Sequence, residues 1–207
     1  GSSAGCRATC LYYAGRGAFP QVKSARIRKT KLYFEDFNTF KSSMEKDIKS
    51  ALNWADKNNL KPCFRLDGTT DLGVAQHFVS NNKTKQFYDY TKCPSRIRMA
   101  EKHDNWHITY SLSENTTTKR MRILLASNSN IAIPFHNVPE IGTRLLGREI
   151  VSGDETDLRF LDGMKKIVTL KVKGGKGKKT LNEDKKSTNG FILTDGAALE
   201  KRFAALA

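Results

Sequence analysis

Cysteine and histidine are scarce: the 207-residue chain has four of each. Cys6, Cys10, Cys63 and Cys93 are unevenly spaced, and a chain of this length buries enough surface to fold without covalent staples. A disulfide scaffold is therefore excluded, and a reducing, cytoplasmic compartment is expected. The histidines are dispersed. The sequence contains no His-Glu-x-x-His, no Walker loop and no Gly-x-Ser-x-Gly, which removes the chemistries those motifs serve. No apolar run approaches the roughly 18 residues that cross a bilayer, so no membrane partner is expected, and no secretory leader is visible. Acidic residues are also in deficit. Lysine and arginine number 36 against 21 acids, a formal charge of +15.

That charge favours anionic partners, either nucleic acid or a nucleotide. Part of it is local. Lys171, Lys173, Lys176, Lys178, Lys179, Lys185 and Lys186 share one stretch broken by Gly174, Gly175 and Gly177. Such a run reads equally as a solvated loop or as an anion-binding loop built on Lys173, Lys176, Lys178 and Lys179.

Phe37, Phe40, Met44, Ile48, Leu52 and Ala55 recur at three- and four-residue steps, which predicts a helix from Asp36, a good N-cap, to Asn58. Beyond it, short apolar or alternating runs end in polar residues: 62–66, 86–90, 106–110, 130–135, 150–151 and 166–172. Candidate helices fall between them at 72–80, 94–103, 117–126 and, more weakly, 138–146. Strand–helix alternation at this spacing predicts an α/β domain with mostly parallel strands over 1–193. The tail, 194–207, contains a short Ala-rich helix.

Parallel crossovers gather the strand C-termini on one rim, where α/β folds bind ligands. Asp67, Asp71, Asp89, Lys92, Ser113, Glu114, Asp154 and Asp157 all follow strands. Singly each reads as a cap or turn residue; together they predict a convergent polar site. Asp67-Gly68-Thr69-Thr70-Asp71 joins two carboxylates and two hydroxyls to a glycine that admits close approach, and it reads equally as a capped strand-to-helix turn. In 87–92, alternation puts Phe87, Asp89 and Thr91 on one face and Tyr88, Tyr90 and Lys92 on the other. Asp154-Glu155-Thr156-Asp157-Leu158-Arg159-Phe160-Leu161-Asp162 suits a divalent cation, an internal pair with Arg159, or neutralisation of nearby lysines. Cys6 and Cys10 are soft metal donors, but two thiols alone read as an incidental pair.

Several stretches carry a resemblance: Gly5-Cys6 with Cys10-Leu11-Tyr12-Tyr13-Ala14, Arg65-Leu66-Asp67-Gly68-Thr69-Thr70-Asp71-Leu72, Phe87-Tyr88-Asp89-Tyr90-Thr91-Lys92, Asp157-Leu158-Arg159-Phe160-Leu161-Asp162 and Gly190-Phe191-Ile192. In this order they are similar to a phage family named after gene product eighty-eight. That likeness covers most of 5–193 and brings no activity with it. More distantly, the chain resembles a phage family named after gene products thirty-seven and sixty-eight, which looks like radical S-adenosylmethionine enzymes. Gly68-Thr69-Thr70-Asp71-Leu72, Thr91-Lys92-Cys93-Pro94-Ser95-Arg96 and Ser111-Leu112-Ser113-Glu114-Asn115 echo its motifs.

This second resemblance implies a partial or distorted (β/α) barrel with an N-terminal cysteine loop. It implies an iron–sulfur cluster on Cys6 and Cys10, and S-adenosylmethionine beside Gly68, Thr69 and Asp71. Asp89, Lys92 and Glu114 would face an anionic substrate. Cys6 and Cys10 are separated by three residues where those relatives have two. The third thiolate that such a cluster needs is expected upstream of Gly1. The phage resemblance places the protein in the host cytoplasm. Two alternatives stand beside the enzyme: a basic protein that binds nucleic acid or a host protein without catalysis, and a divalent-metal enzyme using the strand-end carboxylates.

Overall fold

The computed structural model describes residues 3–8, 15–172 and 190–206. Cys10 and the lysines at 173, 176, 178, 179, 185 and 186 lie outside the described residues.

A short turn of helix, α1 (Ala4–Ala8), precedes a helical hairpin of α2 (Pro20–Glu35) and α3 (Phe37–Lys57). Asp36 alone separates the two long helices. It starts α3 as expected: its carboxylate accepts a 3.0 Å hydrogen bond from the Thr39 amide. Phe40, Ile48 and Ala55 are the buried face of α3. α2 has no buried residue, and the sequence pattern did not announce it. Tyr33 pins its end, edge-on to Phe37 and Phe40 at 5.5 and 5.2 Å.

Seven strands follow: β1 (Cys63–Phe64), β2 (Gln86–Thr91), β3 (Trp106–Ser111), β4 (Asn130–Phe135), β5 (Arg144–Leu145), β6 (Arg148–Ser152) and β7 (Ile167–Lys171). They form one sheet in the order β1-β2-β3-β4-β7-β6-β5, parallel except for the β5–β6 hairpin. The expected α/β class and parallel pairing are present. The sheet is open, however, with β1 and β5 as its edges, and among the described residues no pairing closes it into a barrel.

Consecutive parallel strands joined by right-handed crossovers carry every connection on the same side. Accordingly α4 (Pro94–Ala100) and α5 (Thr118–Ala126) join the core through Ile97, Ala100, Met121 and Leu124. They meet Phe64, Phe87, Trp106, Ile108, Tyr110, Ile131 and Ile133 of the sheet. The opposite face carries Tyr88, Tyr90, His107, Thr109, Ser111 and Asn130, and is polar where the first is apolar. Residues 153–163 lie against this second face, burying Arg159 completely and setting Phe160 against Tyr88 at 5.5 Å. Gly153 begins that crossing in contact with β7, where a Cβ would come within 2.7 Å of the Thr169 carbonyl oxygen.

Two predicted helices differ. Residues 72–80 form two 3₁₀ turns, Val74–His77 and Val79–Asn81, because the backbone enters through Gly73 at φ +75°. Residues 138–146 form a turn and β5; Leu146 and Gly147, both at positive φ, close its hairpin with β6. The tail helix, α6 (Gly196–Arg202), is capped by Asp195 and packs Leu199 into the common core, followed by Phe203. Leu193 bridges to Phe135, so the tail approaches beside β4.

Arg148 ties β6 to the end of α5. Its buried guanidinium donates to the carbonyls of Leu124 (2.6 Å), Leu125 (3.1 Å), Ser127 (2.8 Å) and Ser129. It thereby satisfies acceptors left open at a helix C-terminus. Burial lowers its pKa to about 10, so it remains charged at neutral pH. Arg148→Met should destabilise the fold by about 3 kcal/mol, the order expected for losing a buried charged donor. The check is the urea unfolding midpoint; an unchanged midpoint would contradict this role.

Candidate active site at the sheet rim

The loop after β1 is built on Asp67. Its buried carboxylate accepts from the amides of Leu72 (3.1 Å), Gly73 (2.6 Å) and Val74 (2.9 Å), and from the Thr70 hydroxyl. Each donor would otherwise be orphaned in the tight turn. Gly68 and Thr69, the expected cofactor-side residues, stand exposed on the outside of this turn, and Gly68 has open space where a side chain would be.

Asp71 comes next and links three elements. It accepts from the Thr91 hydroxyl at 2.8 Å and the Lys92 amide at 2.9 Å, and pairs with the Arg96 guanidinium. Arg96 reaches it by passing over Gly73, where a Cβ would sit 2.7 Å from its Nε. Glycine is therefore required at 73 on two counts, space and backbone angle.

Lys92 continues the alternation of β2 onto the polar face. Its ammonium donates to Ser111 Oγ at 2.7 Å and lies 5.6 Å from the centre of the Phe191 ring. No carboxylate comes within ion-pairing distance of it among the described residues. A part-buried ammonium held by a hydroxyl and an aromatic face is suited to receive an anionic group.

Glu114, after β3, accepts from the Ser3 hydroxyl at 2.6 Å and the Gly5 amide at 2.7 Å. Burial raises its pKa, but the Ser3 and Gly5 donors, and more weakly the Lys92 charge, outweigh burial and leave it below the usual carboxylate range. The carboxylate therefore latches α1, and with it Cys6, to the rim. Arg202 of α6 donates to the carbonyls of Ser113 (2.7 Å) and Thr116 (3.2 Å), buttressing the same loop. Ser3 and Arg202 carried no sequence signal for these contacts, since each meets the rim through a partner about 90 or more residues away in the chain.

Asp89 sits elsewhere. It pairs in register with Ile108 on the helix-covered face, almost fully buried, and its Oδ1 accepts the Asp67 amide at 3.1 Å. It belongs to the layer beneath the rim, apart from Lys92 and Glu114. Burial raises its pKa to about 7. The Asp67 amide opposes that, the Asp67 carboxylate adds to it, and the Trp106 indole and Arg65 oppose it weakly. Asp89 Oδ2 and the Trp106 N–H remain without a well-formed hydrogen bond.

Three of the four acids of 154–162 are already engaged, and Glu155 is exposed. Asp154 accepts the Lys171 amide at 2.8 Å, Asp157 pairs with Arg65, and Asp162 lies 3.1 Å from Arg159. Among the described residues no three His, Cys, Asp or Glu side chains form a metal-sized group. Nor is any described helix long and apolar enough to cross a membrane.

The family model described as Gene product 88 matches residues 1–193. The chain belongs to this phage gene-product family. Every rim residue described above except Arg202 falls inside the matched span. Neither a curated protein nor a solved structure matches the chain significantly.

An acid whose native pKa is raised holds its proton more tightly folded than unfolded. Stability then falls as pH rises from about 4 to about 7, and levels off above. Asp89→Asn should flatten that slope, so that the variant gains on the wild type at pH 8 relative to pH 4. Urea midpoints across this range decide it; parallel profiles would show that Asp89 does not titrate there.

Proposed function

We propose that this protein is an enzyme of the radical S-adenosylmethionine type acting on an anionic substrate, with its chemistry at the C-terminal rim of the sheet. The supporting observation is the latch: Glu114 accepts from both Ser3 and Gly5, bringing the Cys6 turn to the rim that also carries Lys92. The sequential parallel run β1 to β4 is compatible with part of a barrel whose strand ends face such a turn.

The donor chemistry agrees with a thiolate-held cluster. Cys6 is a free, half-buried thiol on the Ala4–Ala8 turn. It would be one ligand; Cys10 belongs to the same segment of sequence and lies outside the described residues. When bound with S-adenosylmethionine, such a cluster supplies one-electron reduction.

The remaining roles fall to the chain's own groups. Glu114 fixes the turn by two charge-assisted hydrogen bonds. Lys92, oriented by Ser111, would hold an anionic part of the substrate. Asp71 sets the Lys92 backbone and keeps Arg96 beside it. Gly68 and Thr69 leave open space outside the first loop.

Anaerobic reconstitution of the full-length protein with iron and sulfide tests this reading. Visible absorbance from an iron–sulfur cluster and reductive cleavage of S-adenosylmethionine are expected. Cys6→Ser should lose the cluster. Lys92→Ala should keep it but lose turnover with substrate. Glu114→Ala should lower cluster content while leaving the unfolding midpoint nearly unchanged. A colourless, iron-free protein would overturn the proposal.

A further inference from the structure

We propose that the exposed face of α2 is a docking surface for nucleic acid, binding its phosphate backbone. α2 carries Lys23, Arg26, Arg28, Lys29 and Lys31 against the single acid Glu35. Lys23, Arg28, Lys29 and Lys31 are exposed, and none makes an ion pair among the described residues. Arg26 is different, spending a donor on the Gly17 carbonyl at 3.2 Å. The adjacent helix α3 mixes its lysines with Glu45, Asp47 and Asp56, so the unbalanced charge belongs to α2.

Helical spacing sorts these groups. Lys23, Ile27 and Lys31 follow one another at four-residue steps, with Phe34 on the same strip and Arg28 about 100° farther round the helix. Lys23 and Lys31 are thus roughly 12 Å apart along the axis, enough to meet several phosphates of one strand. Within this strip Ile27 is 47% exposed and Phe34 68%, and Phe19, just before the helix, is 55% exposed. Apolar side chains this exposed are not there to pack the core.

A membrane-lying helix keeps its apolar and basic residues on separate faces. Here they interleave on one strip, and Lys29 adds charge on another side. Cations alternating with flat apolar groups instead suit phosphates flanked by stacking bases. The chain enters α2 soon after the turn latched to Glu114, so a bound strand would lie on the element that leads away from the rim. The inference is independent of rim chemistry, because binding is read without turnover.

The test is fluorescence anisotropy on the full chain with a labelled single strand and a duplex of roughly 20 nucleotides, titrated across salt concentrations. Wild type should bind at least one of them, with affinity falling steeply as salt rises. The K23Q/R28Q/K31Q variant should bind about tenfold or more weakly, with the log–log salt slope reduced by about 2 to 3. The I27A/F34A variant should bind more weakly with the slope unchanged. Because none of these side chains is buried, the circular dichroism spectra should match; if the triple variant does not fold, Lys31→Gln alone should lower the slope by about 1. The proposal is overturned if the triple variant binds like wild type. It is also overturned if K173Q/K176Q/K178Q/K179Q removes the entire salt slope, or if phosphatidylserine vesicles bind while both oligonucleotides do not.

Discussion

A buried carboxylate at the end of the first strand organises the region on which the candidate site depends. Asp67 could not be buried as an anion without donors, and the turn it anchors could not be this tight without an acceptor. Each requirement meets the other, since three consecutive amides and a hydroxyl converge on its two oxygens. The backbone is thereby drawn into 3₁₀ turns, and Asp71 is placed where it can reach Thr91, the Lys92 amide and Arg96. The position of Lys92 thus traces back through Asp71 to Asp67. Beneath lies Asp89, whose oxygen takes the Asp67 amide and whose own charge is disfavoured first by burial and then by the carboxylate above it. Of these two neighbouring acids one has a full set of donors, while burial pushes the other, Asp89, toward neutrality.

The two faces of the sheet express different demands. The crossovers between β2, β3 and β4 put α4 and α5 on one side, and the apolar residues of β1 to β4 follow them there. The other side carries Tyr88, Tyr90, His107 and Thr109 and, among the described residues, has no connecting α-helix over it. Residues 153–163 cover it instead, with Arg159 buried among its own loop carbonyls and Asp162. Burial, and to a smaller degree the enclosed Arg159 cation, lowers the pKa of His107 to about 4. His107 is therefore neutral at physiological pH and belongs to the packing of this layer. The acid-rich motif 154–162 is explained by the same enclosure: its carboxylates answer Arg159, Arg65 and a backbone amide.

What was legible in the sequence was whatever depends on neighbours in the chain. The Asp36 cap, the apolar stripe of α3, the strands β2, β3 and β4 and the alternation that sends Lys92 and Asp89 to opposite faces are local patterns. The segment 138–146 resembled a helix only because its few apolar residues are permissive; the positive-φ pair Leu146 and Gly147 turns it into a hairpin. α2 was missed for the opposite reason. A helix that buries nothing has no apolar period to detect, and its run of cations read only as overall charge. The latch of Ser3 and Gly5 on Glu114 was illegible because it closes a loop of more than 100 residues.

The distribution of charge sets the rim and the α2 surface apart. Lys92 and Glu114 are oppositely charged and near enough to influence each other, yet each is held by its own neutral partners: Lys92 by Ser111, Glu114 by Ser3 and Gly5. A direct ion pair between them would cancel both charges and leave the rim nothing to offer a ligand. Holding them apart costs some Coulombic attraction but keeps an oriented cation at the rim and a carboxylate free to grip the N-terminal turn. On α2 the arrangement is the reverse, with many cations, almost no acids and few fixed partners, so attraction there is additive and weakly directional. A surface of that kind gathers a polyanion without specifying an atom, whereas the rim can place one group accurately but draws little from a distance.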